Sequence, residues 1–481
     1  MGDRVGMCET SPSRRDTPAI ASTLPVELLQ MIFSYYTEFK DCYAGVYRTC
    51  PAWIAVTHVC RRWRAAALDY SSLWTSISTD TLGKGWIKAF MERSDPSLID
   101  VTLGISRLPS GKWAGLSVDD FFALFAGCTR LRSFHIFGEI SIVCKLLDTL
   151  HTATNIRSLS LHIIGQRPIE LPDNLFGGQA PIREVCFIAA TSYIDAPHWL
   201  LRGITHLTSN QQIPLQNLLD TLAQMPVLHS FTLERCVLNW RGTDAPRDVR
   251  IRMPNLMYFT VDVDAGSPII FALLNRRLSL PDGAKRRLHS HQNVDSYASK
   301  PWSPSILAIP PSLREVIQAA KGLQNVQLSG GPLVGSFRLW TGDVGYEEAE
   351  FSLGFSWKFI STDRGKPTAF DLATLCGLLC VERVRMLTLL INSETLEGLG
   401  PSGRSFWWTL LGRLSTVEEL ELCPDAVRNL HYARRGGVGV VFPELRSLRM
   451  VQAANSTVST TSHSTEMIKD LMKILQGEAK H

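Results

Sequence analysis

The sequence lacks any apolar run long enough to span a membrane, and its N-terminal segment MGDRVGMCETSPSRRDTP has no apolar signal core. The net charge is only +4 over 481 residues, and no basic stripe with interleaved aromatic residues is present. The 11 cysteines are odd in number and scattered, which is typical of reduced thiols rather than of a disulfide framework. We therefore expect a folded protein of the cytoplasm, the nucleus or both, with no membrane or nucleic-acid partner.

The patterns that carry catalysis or bind metals are also missing. Cys376 and Cys380 lie four residues apart on a predicted helix, but no further metal ligands stand out nearby. His289 and His291 lie in a polar stretch without a cysteine or acidic residue at a metal-binding spacing, so we interpret them as solvated loop histidines. The sequence has no P-loop lysine motif and no nucleophile elbow. We expect no enzymatic activity, no metal and no cofactor; a hydrolase embedded in the chain would need a nucleophile, a base and an oxyanion hole.

Residues 24–74 contain two amphipathic helical runs. The first begins at LPVEL, because proline suits the first turn, where the amide that it lacks would be unbonded. Its apolar residues at helical spacing are Leu24, Leu28, Met31 and Ile32. The second run contains the apolar residues Ile54, Val56, Val59, Cys60 and Trp63. Periodicity alone is equally consistent with two core helices at the start of a globular domain.

A strand-like pattern, L-x-x-L-x-L, recurs along the rest of the chain. Consecutive copies begin at Leu131, Ile156, Ile182, Ile204, Leu228 and Leu256, and the copy at Ile204 is degenerate because Ser209 occupies its third apolar place. These first anchors are separated by 25, 26, 22, 24 and 28 residues, which matches the period of leucine-rich repeats. One strand and helix cannot bury their own apolar face, so the pattern predicts stacked repeats that share a core. An ordinary α/β domain is the alternative.

The N-terminal stretch resembles an F-box over roughly fifty residues. The resemblance rests on the order L-P-x-E-L-L-x-x-I-F, then V-C-R-R-W-R, then L-W. The segment from Thr37 to Pro51 is longer than the corresponding connection in a compact F-box. The following segment, GWIKAFMERS, resembles the region after the F-box in a large fungal family of F-box proteins.

The expected fold class is mixed α and β, with an all-α F-box-like module followed by an α/β leucine-rich-repeat solenoid. We expect the solenoid to contain a mobile polar insertion at about 281–305 and an inserted β-hairpin at about 331–361. The expected segments are a flexible tail at 1–20, the F-box-like module at 21–78, the solenoid at 79–463 and a terminal helix at 464–481.

The resemblance implies a function for each half of the chain. F-box proteins dock on the Skp-type adaptor of a cullin–RING ubiquitin ligase, and their repeats hold the protein substrate. Carried over by matching positions, the adaptor-docking residues would be Leu24, Pro25, Glu27, Leu28, Ile32, Val59, Cys60, Trp63 and Trp74. The alternative is a leucine-rich-repeat scaffold whose N-terminal helices cap the solenoid. Whether Leu28 and Trp63 are exposed or buried would distinguish the two hypotheses.

Strand alternation also predicts where a substrate would bind. In each repeat the second and third anchors face the core, so the residues just before them face the opposite way. Most residues at these positions are small and neutral. We therefore expect Tyr258, Glu419 and Glu421 to contact the substrate, with the two glutamates capturing a basic segment of it.

Overall fold

A computed structural model describes most of the chain. It covers residues 24–38, 52–79, 82, 84–105, 118–125, 128–165, 167, 169–189, 194–196, 198–211, 214–234, 250–264, 268–294, 323–330, 334–341, 348–349, 351–359, 384–391, 414–423, 426–427, 442–451, 471 and 475. The chain divides into two compact units, Met1–Arg157 and Ser158–His481. Within the described ranges, no helix is both long and apolar enough to span a bilayer.

The first unit begins with a helical module. It comprises α1 (Val26–Glu38), a 3-10 helix (Ala52–His58), α2 (Arg61–Asp69) and a second 3-10 helix (Ser71–Trp74). The second predicted helical run is thus split at Cys60, which caps α2 by accepting a hydrogen bond from the Trp63 amide at 3.5 Å. Leu29 and Phe33, four residues apart on α1, are fully buried, and they supply the face of α1 that packs into the module.

The remainder of the first unit alternates helices with parallel strands. In chain order these elements are β1 (Ser76–Ser78), α3 (Lys84–Arg93), β2 (Ile99–Ile105), α4 (Val118–Phe125), β3 (Leu131–Glu139) and α5 (Ile140–Thr149). The strands pair in the order β1-β2-β3. Val101 lies beside Ile77 and Phe134, and all three side chains are buried. The repeat anchors therefore form one shared core, as the pattern predicts.

The second unit contains a twelve-stranded sheet in the order β4-β6-β8-β9-β11-β13-β16-β15-β14-β17-β18-β19. Its strands are β4 (Ser158–Ile164), β6 (Glu184–Ala189), β8 (His206–Gln211), β9 (Ser230–Leu233), β11 (Tyr258–Asp264), β13 (Lys285–Val294), β14 (Leu323–Gly330), β15 (Val334–Thr341), β16 (Phe351–Phe359), β17 (Met386–Ile391), β18 (Glu419–Leu422) and β19 (Ser447–Met450).

Three described helices and two small ribbons accompany this sheet. The helices are α6 (His198–Gly203), α7 (Leu215–Ala223) and α8 (Pro268–Arg277). The ribbons pair β5 (Ile169–Glu170) with β7 (Ile194–Asp195), and β10 (Ile251–Arg252) with β12 (Leu278–Ser279). The fold is therefore the expected one, an N-terminal helical module and a leucine-rich-repeat-like α/β region.

The core of the second unit lies on one face of the sheet. The stacked rings of Phe231 and Phe259 illustrate it, with centroids 6.1 Å apart and both side chains fully buried. The degenerate repeat, in which Ser209 replaces the third apolar anchor, still forms a strand. Ser209 is itself buried. Hydrogen bonding to β6 and β9 on either side holds this strand without the missing apolar anchor.

The predicted polar loop at 281–305 is wrong for residues 285–294. They form β13, which pairs in parallel with β11 and β16. The histidines His289 and His291 therefore lie in a strand and not in a solvated loop. KRRLHSHQNV has only two apolar residues, Leu288 and Val294, and Leu288 is fully buried. The side-chain pattern does not predict this strand, because β13 is held in the sheet by main-chain pairing with its neighbours β11 and β16.

The predicted hairpin at 331–361 is present as β15 and β16, which pair antiparallel. β14 also pairs antiparallel with β15, so the hairpin continues the sheet between β13 and β14. Other predicted features lie outside the described residues. These are the tail at 1–20, most of the segment from Thr37 to Pro51, residues 295–305, Cys376, Cys380 and most of the terminal helix at 464–481.

Candidate functional sites

Helix α1 carries a second apolar face, opposite Leu29 and Phe33, that is exposed. We call this face the α1 ridge; it consists of Leu28, Met31, Ile32 and Tyr35. Met31 and Tyr35 are 67% and 63% exposed, and Leu28 is 44% exposed. Residues three, four and seven apart on a helix lie along one side. A contiguous exposed apolar face of this kind marks an interaction surface.

The predicted adaptor-docking residues do not all share one environment. Those that are exposed are Pro25, Glu27, Leu28, Ile32 and Val59. Those that are half-buried are Leu24, Cys60 and Trp63. The Arg62 guanidinium donates a hydrogen bond to the Leu24 carbonyl, so the start of α1 lies beside α2. The two halves of the motif therefore meet, although 38 residues separate these two partners in sequence.

Trp74, the last of the predicted docking residues, lies in the core of the first unit and not on the exposed surface. Its side chain is 1% exposed, and its Nε1 donates a hydrogen bond to the Ala67 carbonyl at 2.9 Å. Its ring packs against Trp53 and Phe90, with each centroid 5.0 Å away, and the Arg93 guanidinium lies 4.4 Å from the ring centroid. Trp74 thus joins the helical module to α3 from within the core.

The two residues that would distinguish the hypotheses for the module differ in exposure. Leu28 is 44% exposed, as an adaptor-docking residue would be. Trp63 is half-buried because its ring packs edge-on against Phe33, with centroids 5.3 Å apart. Met31 and Tyr35 are the ridge residues that the family motif does not specify, and the helical period is the signal that identifies them.

The face of the second-unit sheet opposite the core, which we call the polar face, holds the predicted substrate-contact residues. Tyr258 is 46% exposed there. Its ring lies 5.4 Å from that of His229, and the Lys285 Nζ is 5.8 Å from the Tyr258 ring centroid. A second ring contact joins His229 to His206, at 5.9 Å. These side chains lie at the starts of four neighbouring strands.

Glu419 and Glu421 already have partners within the chain. Arg449 lies 3.7 Å from Glu419 and 3.9 Å from Glu421, and the Thr388 hydroxyl donates a hydrogen bond to Glu421 at 3.0 Å. The strand of the two glutamates is six strand spacings from that of Tyr258, or about 29 Å at the usual spacing. The three residues therefore do not form one site, and both glutamates share Arg449 as a partner within the chain.

Three of the described cysteines do not resemble activated nucleophiles. Burial raises the pKa of the thiols of Cys128, Cys144 and Cys186, which lowers the thiolate fraction at neutral pH. Among the residues that the structure describes, no group of three or more His, Cys, Asp or Glu side chains could hold a metal ion.

Comparison with known proteins gives a family-model match and similar solved structures. A family model described as F-box-like matches residues 21–80, which span α1, α2 and β1. The leucine-rich repeat-containing protein LegL7 from Legionella pneumophila has a similar structure, with 16% identity, a TM-score of 0.26 and coverage of 70% of this chain and 95% of that one. The TLR13–ssRNA13 complex is similar at 11% identity and a TM-score of 0.29, over 74% of this chain and 45% of that one. Comparison with curated proteins gives no match.

Proposed function

We propose that this chain is the substrate-recognition subunit of an SCF-type cullin–RING ubiquitin ligase, of the kind found in fungi. The F-box-like module binds a Skp-type adaptor and, through it, a cullin, and the repeats bind a protein substrate in the cytoplasm or nucleus. The chain has no catalytic role of its own. It raises the local concentration of substrate near a ubiquitin-charged partner.

The observation that carries this proposal is the exposed α1 ridge within the F-box-like domain. Four large apolar side chains on one helix face are exposed although the adjacent Leu29 and Phe33 are fully buried. An apolar helix face can bind in a hydrophobic groove of a partner through side chains that are three, four and seven residues apart. The fungal resemblance rests on α3, whose sequence KGWIKAFMER follows the module.

The test is co-purification of the full-length chain with a Skp-type adaptor and a cullin from eukaryotic cells. Leu28→Asp or Met31→Asp should weaken adaptor affinity by about thirtyfold or more, since a hot-spot residue commonly contributes about 2 kcal/mol. Val227→Asp is the matched control, because Val227 is an exposed apolar residue outside the module, 41% exposed. Undiminished adaptor binding by both ridge variants would contradict the proposal.

A further inference from the structure

The polar face of the second-unit sheet carries a concentration of basic side chains around Tyr258. Leu288 is fully buried beside Val261, so the alternate residues Lys285, Arg287 and His289 of β13 lie on the opposite, polar face. Lys285 is in register with Tyr258. Three consecutive outward positions of one strand are therefore two full cations and a histidine.

The next two strands extend this basic region. His289 is in register with Gly354 of β16, and Gly354 is directly opposite Arg338 of β15. Gly354, which has no side chain, therefore lies between His289 of β13 and Arg338 of β15. We call Tyr258, Lys285, Arg287, His289 and Arg338 the basic patch.

Two buried apolar side chains lie beside the basic patch. Trp340, two residues from Arg338 and on the same face, is only 6% exposed and clusters with Ala349. Arg287, His289 and Arg338 each make a further contact within the chain. Such contacts restrict rotamers, which lowers the entropy lost when a ligand orders the same side chains.

Charge distinguishes this region from the acidic end of the sheet. Glu419 and Glu421 share one cationic partner, Arg449. The basic patch contains three cationic side chains, Lys285, Arg287 and Arg338, and Asp262, in register with His289, adds one acid on the same face. Guanidinium groups bind carboxylates in bidentate fashion, and tyrosine is a frequent interface anchor.

We infer that the basic patch docks an acidic, carboxylate-bearing segment of the protein substrate, with Tyr258 contacting an apolar residue of that segment. This inference rests on the proposed function, because the proposed function is what makes the bound segment part of a substrate. It assigns to the repeats a preference for acidic partners, at a location away from the two glutamates.

The test measures binding of a short fluorescent polyglutamate peptide with one central leucine to the full-length chain by anisotropy. Arg287→Glu and Arg338→Glu should each weaken binding by about tenfold or more, and high salt should weaken binding to the parent chain. Lys285→Glu is a third variant. It should not disturb core packing, because the Lys285 side chain lies over the exposed Tyr258 ring. Arg446→Glu is the matched control, since Arg446 is an exposed arginine next to β19 that pairs with Glu418.

Equal peptide binding by the parent and the Lys285 and Arg287 variants would overturn the inference. So would tighter binding of a single-stranded RNA, or binding of a phosphoserine peptide without binding of polyglutamate, because either result assigns the patch to another ligand. Adaptor co-purification is measured on the same variants and should be unchanged. If the parent chain binds the peptide but does not co-purify with the adaptor, only the proposed function is refuted.

Discussion

Replacing Trp74 tests whether this residue belongs to the core or to the docking surface. Removing a fully buried aromatic side chain commonly costs about 3–5 kcal/mol of unfolding free energy. Trp74 is 1% exposed and contacts Trp53 and Phe90, so we expect Trp74→Ala to fall in that range. About 1 kcal/mol of the loss comes from the Ala67 carbonyl, which loses its Nε1 donor. Trp74→Phe keeps the ring contacts and should lose mainly this smaller amount.

The assay is hydrogen exchange of the α2 and α3 amides, together with denaturant unfolding and adaptor affinity. Trp74→Ala should accelerate exchange in both helices, which its side chain joins, and the variant that remains folded should still bind the adaptor. Trp86→Ala is the matched control, because Trp86 lies in α3 but is 37% exposed. The reasoning is refuted if Trp74→Ala leaves exchange and unfolding unchanged and abolishes adaptor binding, since that pattern belongs to a surface contact.

Three further predictions concern neighbouring residues, metals and pH. Leu29→Ala should lower the unfolding free energy by about 2–5 kcal/mol, whereas Leu28→Ala, at the next position, should change it by less than about 0.5 kcal/mol, as measured by urea titration. Chelator or reductant should leave the thermal midpoint unchanged; a fall of more than a few degrees would reveal a structural metal or disulfide. Burial lowers the pKa of His162 below the ordinary 6.5, so the unfolded chain takes up this proton first and stability should fall as pH drops below that value. His162→Gln should show a smaller fall, and an identical pH profile for the two chains would contradict this.

Local sequence determined the elements whose signal repeats within a few residues. The LPVEL start, the helical spacing of Leu28 and Ile32, and the L-x-x-L-x-L anchors all predict structure through periods that a short window contains. The repeat at Phe231 and that at Phe259 show the result, because their rings stack in the shared core. Helix α1 has two apolar faces, and periodicity does not say which of them packs against α2. The exposure of the α1 ridge could therefore not be predicted from periodicity alone.

Tertiary structure alone decided the features that depend on residues distant in the chain. The sequence marks Trp74 as part of a docking motif, but burial against Phe90 of α3 makes it a core residue. The polar sequence KRRLHSHQNV resembles a loop, but the segment is a strand because it pairs with β11 and β16. Main-chain pairing depends little on the side-chain pattern, so the sequence does not reveal it. Glu421 is predicted to contact the substrate, and the fold places Arg449 of the next strand 3.9 Å from its carboxylate. In each case the contacting residue is close in space but distant in sequence. A pattern within one segment does not show which distant residues will contact it.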